Sequence, residues 1–148
     1  MLVIIRLSAL CFAALLTAGC SEVQAQSLFC GALPPANAAP SAAIFVDTDG
    51  APSGRDAVHV ALCDAGHRCR KLVTTHDQRL LAIARAPGGK VEVITASRDL
   101  AIADRDKAVI TQIPESSFKT RVRSAINSGA AVLDYSNAMC RADADYKF

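Results

Sequence analysis

Apolar and polar positions alternate over Lys90–Ser97, "KVEVITAS", which predicts a half-exposed strand. The same reading applies to Ala42–Gly50, "AAIFVDTDG", a β-branched and aromatic run ending in a turn signal. "RKLVTT" (Arg70 to Thr75) is expected to be a strand that continues through His76-Asp77 into "RLLAIARA" (Arg79 to Ala86), and "APGGK" is a turn. "LAIADRD" and "KAVITQI" are further short apolar segments, the second expected to be a strand, and "AAVLDY" (Ala130 to Tyr135) is expected to be the final strand. Two periods fit the stretch after Gly54. Val58, Val60 and Leu62 alternate as on a strand, whereas Val58, Ala61, Leu62 and Ala65 recur at helical spacing. Asp56 as N-cap and Gly66 as a left-handed cap favour a helix over 57–65. A second helix is predicted from the stripe Phe118, Val122, Ala125 and Ile126, with Ser116 and Ser117 as caps and Gly129 as terminator. The expected fold is α+β, an antiparallel meander of about five short strands with two helices.

The N-terminus changes the picture. Leu7–Gly19 is an uncharged apolar run behind Arg6, shorter than the roughly 20 residues of a membrane-spanning helix and ordered like a signal peptide. "LTAGC" resembles a lipobox, which makes Cys20 the lipidation site and residues 1–19 the signal. "VQA" ending at Ala25 instead fits an ordinary signal peptidase, with residues 1–25 removed and Gln26 first. Residues 20–41, rich in Ala and Pro, read as a tether, and 42–148 as a single small globular domain. Ser21 is not an Asp, so an anchored chain is expected at the outer membrane, facing the periplasm. The alternative is a secreted or periplasmic soluble protein.

Export gives the cysteines their meaning. Cys30, Cys63, Cys69 and Cys140 remain in the domain, an even number suited to disulfides in an oxidising compartment. The favoured pairing is local for Cys63–Cys69 and end-to-end for Cys30–Cys140.

Charge and composition narrow the function. The formal net charge of +2 loses one positive charge with Arg6, and no basic stripe of the kind nucleic acid requires is present. Aromatic content is 5% with no Trp, which disfavours a sugar-stacking site. His59, Cys63, His67 and Cys69 are ligand types zinc accepts, but the paired-cysteine spacing of a structural zinc site is absent and a disulfide is expected. Asp47-x-Asp49-Gly50 reads as a turn with capping aspartates, because an EF-hand loop would not carry Ala51 and Pro52. Ser116-x-x-Lys119 lacks its partner motifs, adjacent His76 and Asp77 would point to opposite strand faces, and Asp104 and Asp106 read as turn residues. Lys119, Arg121 and Arg123 read as a solvated helix face. The expectation is therefore an envelope protein with no catalytic residues, metal or cofactor. It acts as a binding module for a protein partner in the cell envelope and meets the membrane through its lipid anchor. His67 and Arg68 form the candidate binding loop. The alternatives are a periplasmic inhibitor of a hydrolase such as lysozyme, or a small secreted enzyme.

Residues 42–86 resemble the small secreted bacterial module known as domain of unknown function 4189. The matching positions are Ala57, Ala61, Leu62, Cys63, Cys69, Leu72 and Val73. The resemblance implies a strand, then a helix, then a hydrophobic strand pair, and it brings no catalytic residues. The loop "CDAGHRC" is similar to the disulfide-bridged loop of Ivy-type lysozyme inhibitors, with His67 two residues before the second cysteine.

Overall fold

The computed structural model describes residues 26–36, 40–48, 57–76, 80–143 and 145–148. The signal segment, Cys20, Asp49, Gly50, Asp56 and Asp77 lie outside the described residues, as do the expectations placed on them.

Among the described residues, ten strands form two sheets and one α-helix packs against them. The strands are β1 (Gln26–Leu33), β2 (Ser41–Thr48), β3 (Ala57–Cys63), β4 (Cys69–Thr75), β5 (Leu81–Arg85), β6 (Val91–Thr95), β7 (Leu100–Ile102), β8 (Ala108–Gln112), β9 (Val132–Asp134) and β10 (Arg141–Ala142). The helix, α1 (Glu115–Asn127), connects β8 to β9. The first sheet runs β10-β1-β2-β3-β4-β7 and the second β8-β6-β5-β9. All pairings are antiparallel except β6 with β8, which run parallel. The chain leaves β6 for the edge of the first sheet at β7 before returning as β8, so it is not a simple meander.

The sheets bury one core between them. Ile44, Val46, Val58, Val60, Leu72 and Val73 from the first meet Leu81, Ile83, Val91 and Val93 from the second. On the far side of the second sheet, Phe118 and Val122 of α1 cover Ala82 and Ile94. The order is sheet, sheet, helix. Ile126, expected in the helix stripe, is 54% exposed. Neither Ser116 nor Ser117 caps α1; Pro114 holds the N-cap position and its carbonyl accepts from the Ser117 amide at 2.9 Å. Gly129 does end the helix, at φ 86. Arg121 is paired with Glu92 of β6 rather than simply solvated.

Other expectations are corrected, first the strand count: about five strands were expected, and the described residues form a six-stranded and a four-stranded sheet, because the short apolar segments pair in two layers. The helix over 57–65 is strand β3, and this removes both the helix implied by the family resemblance and the second helix of the fold. From Val58 onward every residue of β3 is buried, because the second sheet covers one face and the C-terminal tail covers much of the other. A strand buried on both faces is apolar throughout, and a helical period can then be picked out by accident. The tether over 20–41 is in part strand β1, held by its pairing with β2 and by the Cys30–Cys140 bridge. Finally, Arg70–Thr75 and Arg79–Ala86 do not form one continuing strand. β4 and β5 belong to different sheets. The Cys63–Cys69 and Cys30–Cys140 disulfides are both present.

Candidate functional site

Register places one row of polar side chains on the outer face of the first sheet, away from the second. His59 is paired with Phe45 on β2 and Thr74 on β4, while Asp47 is opposite Ser27 on β1. A hydrogen-bonded chain joins them. Ser27 Oγ donates to Asp47 Oδ1, His59 Nε2 lies 2.6 Å from Asp47 Oδ2, and His59 Nδ1 lies 2.7 Å from Thr74 Oγ1. An ionised carboxylate only accepts, so Nε2 carries the proton, and a neutral ring then accepts from the Thr74 hydroxyl at Nδ1. Lys71 Nζ stands 3.8 Å from the same carboxylate oxygen.

Burial pushes the His59 pKa below its ordinary value; the Asp47 carboxylate opposes this without reversing it, and Lys71 and His76 add to the depression. For Asp47, burial acts to raise the pKa, but hydrogen bonds from Ser27 and His59 and the charge of Lys71 hold it below the usual carboxylate value. Asp47 is thus a strand residue in a side-chain network, not the backbone-capping turn residue expected. Hydroxyl, imidazole and carboxylate stand in the order of an activated-nucleophile relay. The same bonds also tie four strands together on one face.

Beside this row the C-terminus crosses the face as a strap. The Tyr146 ring stacks on Phe29 at 4.5 Å and on His67 at 4.6 Å, and meets Phe45 edge-on at 5.5 Å. Phe148 packs against Phe45 at 4.7 Å, with Lys71 Nζ 6.0 Å from its ring centre. Two backbone bonds fix the strap between these rings: Lys147 N donates to His67 O at 2.9 Å and Cys69 N to Lys147 O at 2.6 Å. The small side chains of Ala43 and Ala61 lie buried in the same cluster.

The candidate loop, 64–68, closes β3 onto β4 and is bridged by Cys63–Cys69. Asp64 organises it: its Oδ1 accepts from the amides of Gly66 at 2.9 Å and Arg68 at 3.0 Å, its amide donates to Arg68 O, and its carbonyl accepts from His67 N. The left-handed residue is His67, at φ 59, not Gly66. Arg68 is exposed, and the loop borders a cleft of about 400 Å³ lined by Pro40, Leu62, Asp64, Arg68, Cys69 and Arg70.

The structure therefore separates the residues the sequence grouped as a metal set. Cys63 and Cys69 are oxidised to a disulfide, His59 is bonded to Asp47 and Thr74, and His67 stacks on Tyr146. Among the described residues no cluster of three or more ligand side chains suits a metal ion. Asp104 is a turn residue as expected, its Oδ1 accepting from Asp106 N, and it also pairs with Arg70 at 3.4 Å. Sequence reasoning missed the partners Ser27 and Thr74 and the strap. The Tyr146-x-Phe148 alternation at the chain end was the available signal. It also missed Arg85, whose Nη2 donates to the carbonyls of Pro34 and Pro40 at 3.0 and 2.7 Å and ties these two prolines to β5.

No protein-family model matches the chain, and comparison with the curated proteins and the solved structures finds no match in either.

Proposed function

We propose that the chain is an exported cell-envelope protein, lipid-anchored through Cys20, that acts as a non-enzymatic binding module and docks a protein partner on the Asp64–Arg68 loop and its cleft. One observation carries the reading: the loop is fixed before any partner arrives. A disulfide closes its base and the Asp64 carboxylate bonds two of its amides. A surface ordered in advance loses little conformational freedom on association, so more of its contact energy appears as affinity. Exposed Arg68 and Arg70 beside the cleft suit a partner presenting carboxylates. Two disulfides fit an oxidising compartment, and among the described residues no helix is long and apolar enough to cross a membrane.

The test is site-specific photo-crosslinking in the native host. A photoreactive residue at Ala65 should give a discrete protein adduct that disappears when Arg68→Glu is added, while the same residue at Lys119 on α1 gives none. Equal adducts at both positions, or none at Ala65, would remove the loop as a docking surface.

The Thr74–His59–Asp47 relay favours one other reading, a small hydrolase with Thr74 as nucleophile and His59 as base. Covalent labelling by a fluorophosphonate that is lost in Thr74→Val would support it, and an unlabelled wild-type protein would discard it.

A further inference from the structure

We infer that the outer face of the first sheet is a docking site for an extended peptide with aromatic residues two positions apart, and that the chain's own C-terminal segment occupies this site as a displaceable strap. The inference rests on the binding-module reading and specifies its partner chemistry. Recognition of an extended peptide combines backbone bonds with pockets for alternate side chains, and both parts are present. The backbone part is the parallel bridge between Arg68 and Lys147, with the His67 carbonyl and Cys69 amide as its acceptor and donor. None of this depends on what the side chain at 147 is.

The pocket part is equally defined. Phe29 and His67 receive Tyr146, and Phe45, only 2% exposed, receives Phe148. Lys147 between them is exposed, so the two rings turn toward the face and the side chain between them turns to solvent. Lys71 Nζ stands 6.0 Å from the Phe148 ring centre, a cation beside the second aromatic position. The predicted ligand is therefore an extended segment carrying a Tyr-x-Phe-like pair.

The strap is built to lift. Its root is pinned by Cys140 to Cys30 and by β10 to β1, so its release leaves the sheet pairings and the core between the sheets in place. Phe148 is already 54% exposed. While the strap is down, the site's apparent affinity falls in proportion to the small open fraction.

The probe is a fluorescein-labelled hexapeptide copying residues 143–148, followed by anisotropy against the full-length domain and against the double variant Tyr146→Ala/Phe148→Ala. The double variant should bind at least about tenfold more tightly than wild type, as expected when an internal competitor is removed. A control hexapeptide with both aromatic residues replaced by alanine should bind neither. A double variant with native disulfides and circular dichroism that binds no better than wild type, or that binds the control equally well, would overturn the inference. Should the double variant not fold, excess peptide added to wild type should accelerate amide exchange at Lys147, and unchanged exchange would be the contrary result. Peptide binding without any adduct at Ala65 in the envelope would sink the loop-docking reading while leaving this site standing.

Discussion

His59 Nε2 lies 2.6 Å from Asp47 Oδ2 across neighbouring strands, with the histidine only 4% exposed. The native state holds this imidazole neutral, with its pKa below the ordinary value. As pH falls through about 6.5, the unfolded chain takes up a proton that the folded chain refuses, so stability declines. Asp47 acts in the same direction at lower pH. Its folded pKa is depressed, so its contribution is complete above the ordinary carboxylate value and is lost as pH falls through the folded one. Denaturant midpoints should therefore drop between pH 7 and 5 in the wild type, and His59→Gln should flatten that part of the profile. Parallel profiles for the two proteins would show that His59 does not carry the dependence.

Gly31 sits at φ 136 beside the bulge in β1, and a Cβ placed there would stand 2.9 Å from Leu133 Cδ1. Gly31→Ala combines backbone strain with overpacking and should destabilise by about 2–4 kcal/mol. Urea unfolding measures it; a loss below half of that would mean that Leu133 and the bulge adapt freely.

His67 is the single non-glycine residue at positive φ among those described. A conformation that costs a β-carbon roughly 1–2 kcal/mol is retained where its ring stacks on Tyr146. His67→Gly and His67→Ala both remove the ring and differ only in that strain. The glycine variant should be the more stable by about 1 kcal/mol in chemical unfolding; an alanine variant of equal stability would place the left-handed turn elsewhere.

The two disulfides close loops of very different length, with sequence separations of 110 and 6. On the chain-entropy account, removing Cys30–Cys140 costs nearly 5 kcal/mol and removing Cys63–Cys69 about 2. Thermal unfolding of the paired serine variants should rank in that order. The reverse ranking would mean that the short bridge acts mainly through the native loop.

Most strands were legible because β-branched alternation and turn residues bracket them, and both disulfides followed from local spacing and the even cysteine number. The failures share one cause. Burial on a second face came from a distant segment that carries Tyr146 and Phe148, and nothing local to Ala57–Cys63 announces that cover. For the same reason His59 looked like a ligand on a helix, although its partners Asp47 and Thr74 lie on the two flanking strands, β2 and β4, which only the register brings beside it. The tether was misread because Ala and Pro dominate its middle, while the residues that make β1 a strand are Leu28, Phe29 and Cys30, whose partners lie on β2 and in the tail.

The proposed export, lipid anchoring and disulfide closure of the loop are tested together by the intact mass of the protein from its native host, alkylated with and without prior reduction. The expected result is a triacylated chain beginning at Cys20, with Cys30, Cys63, Cys69 and Cys140 alkylated only after reduction. A chain beginning at Gln26 or retaining Met1, or Cys63 and Cys69 alkylated without reduction, would be the contrary result.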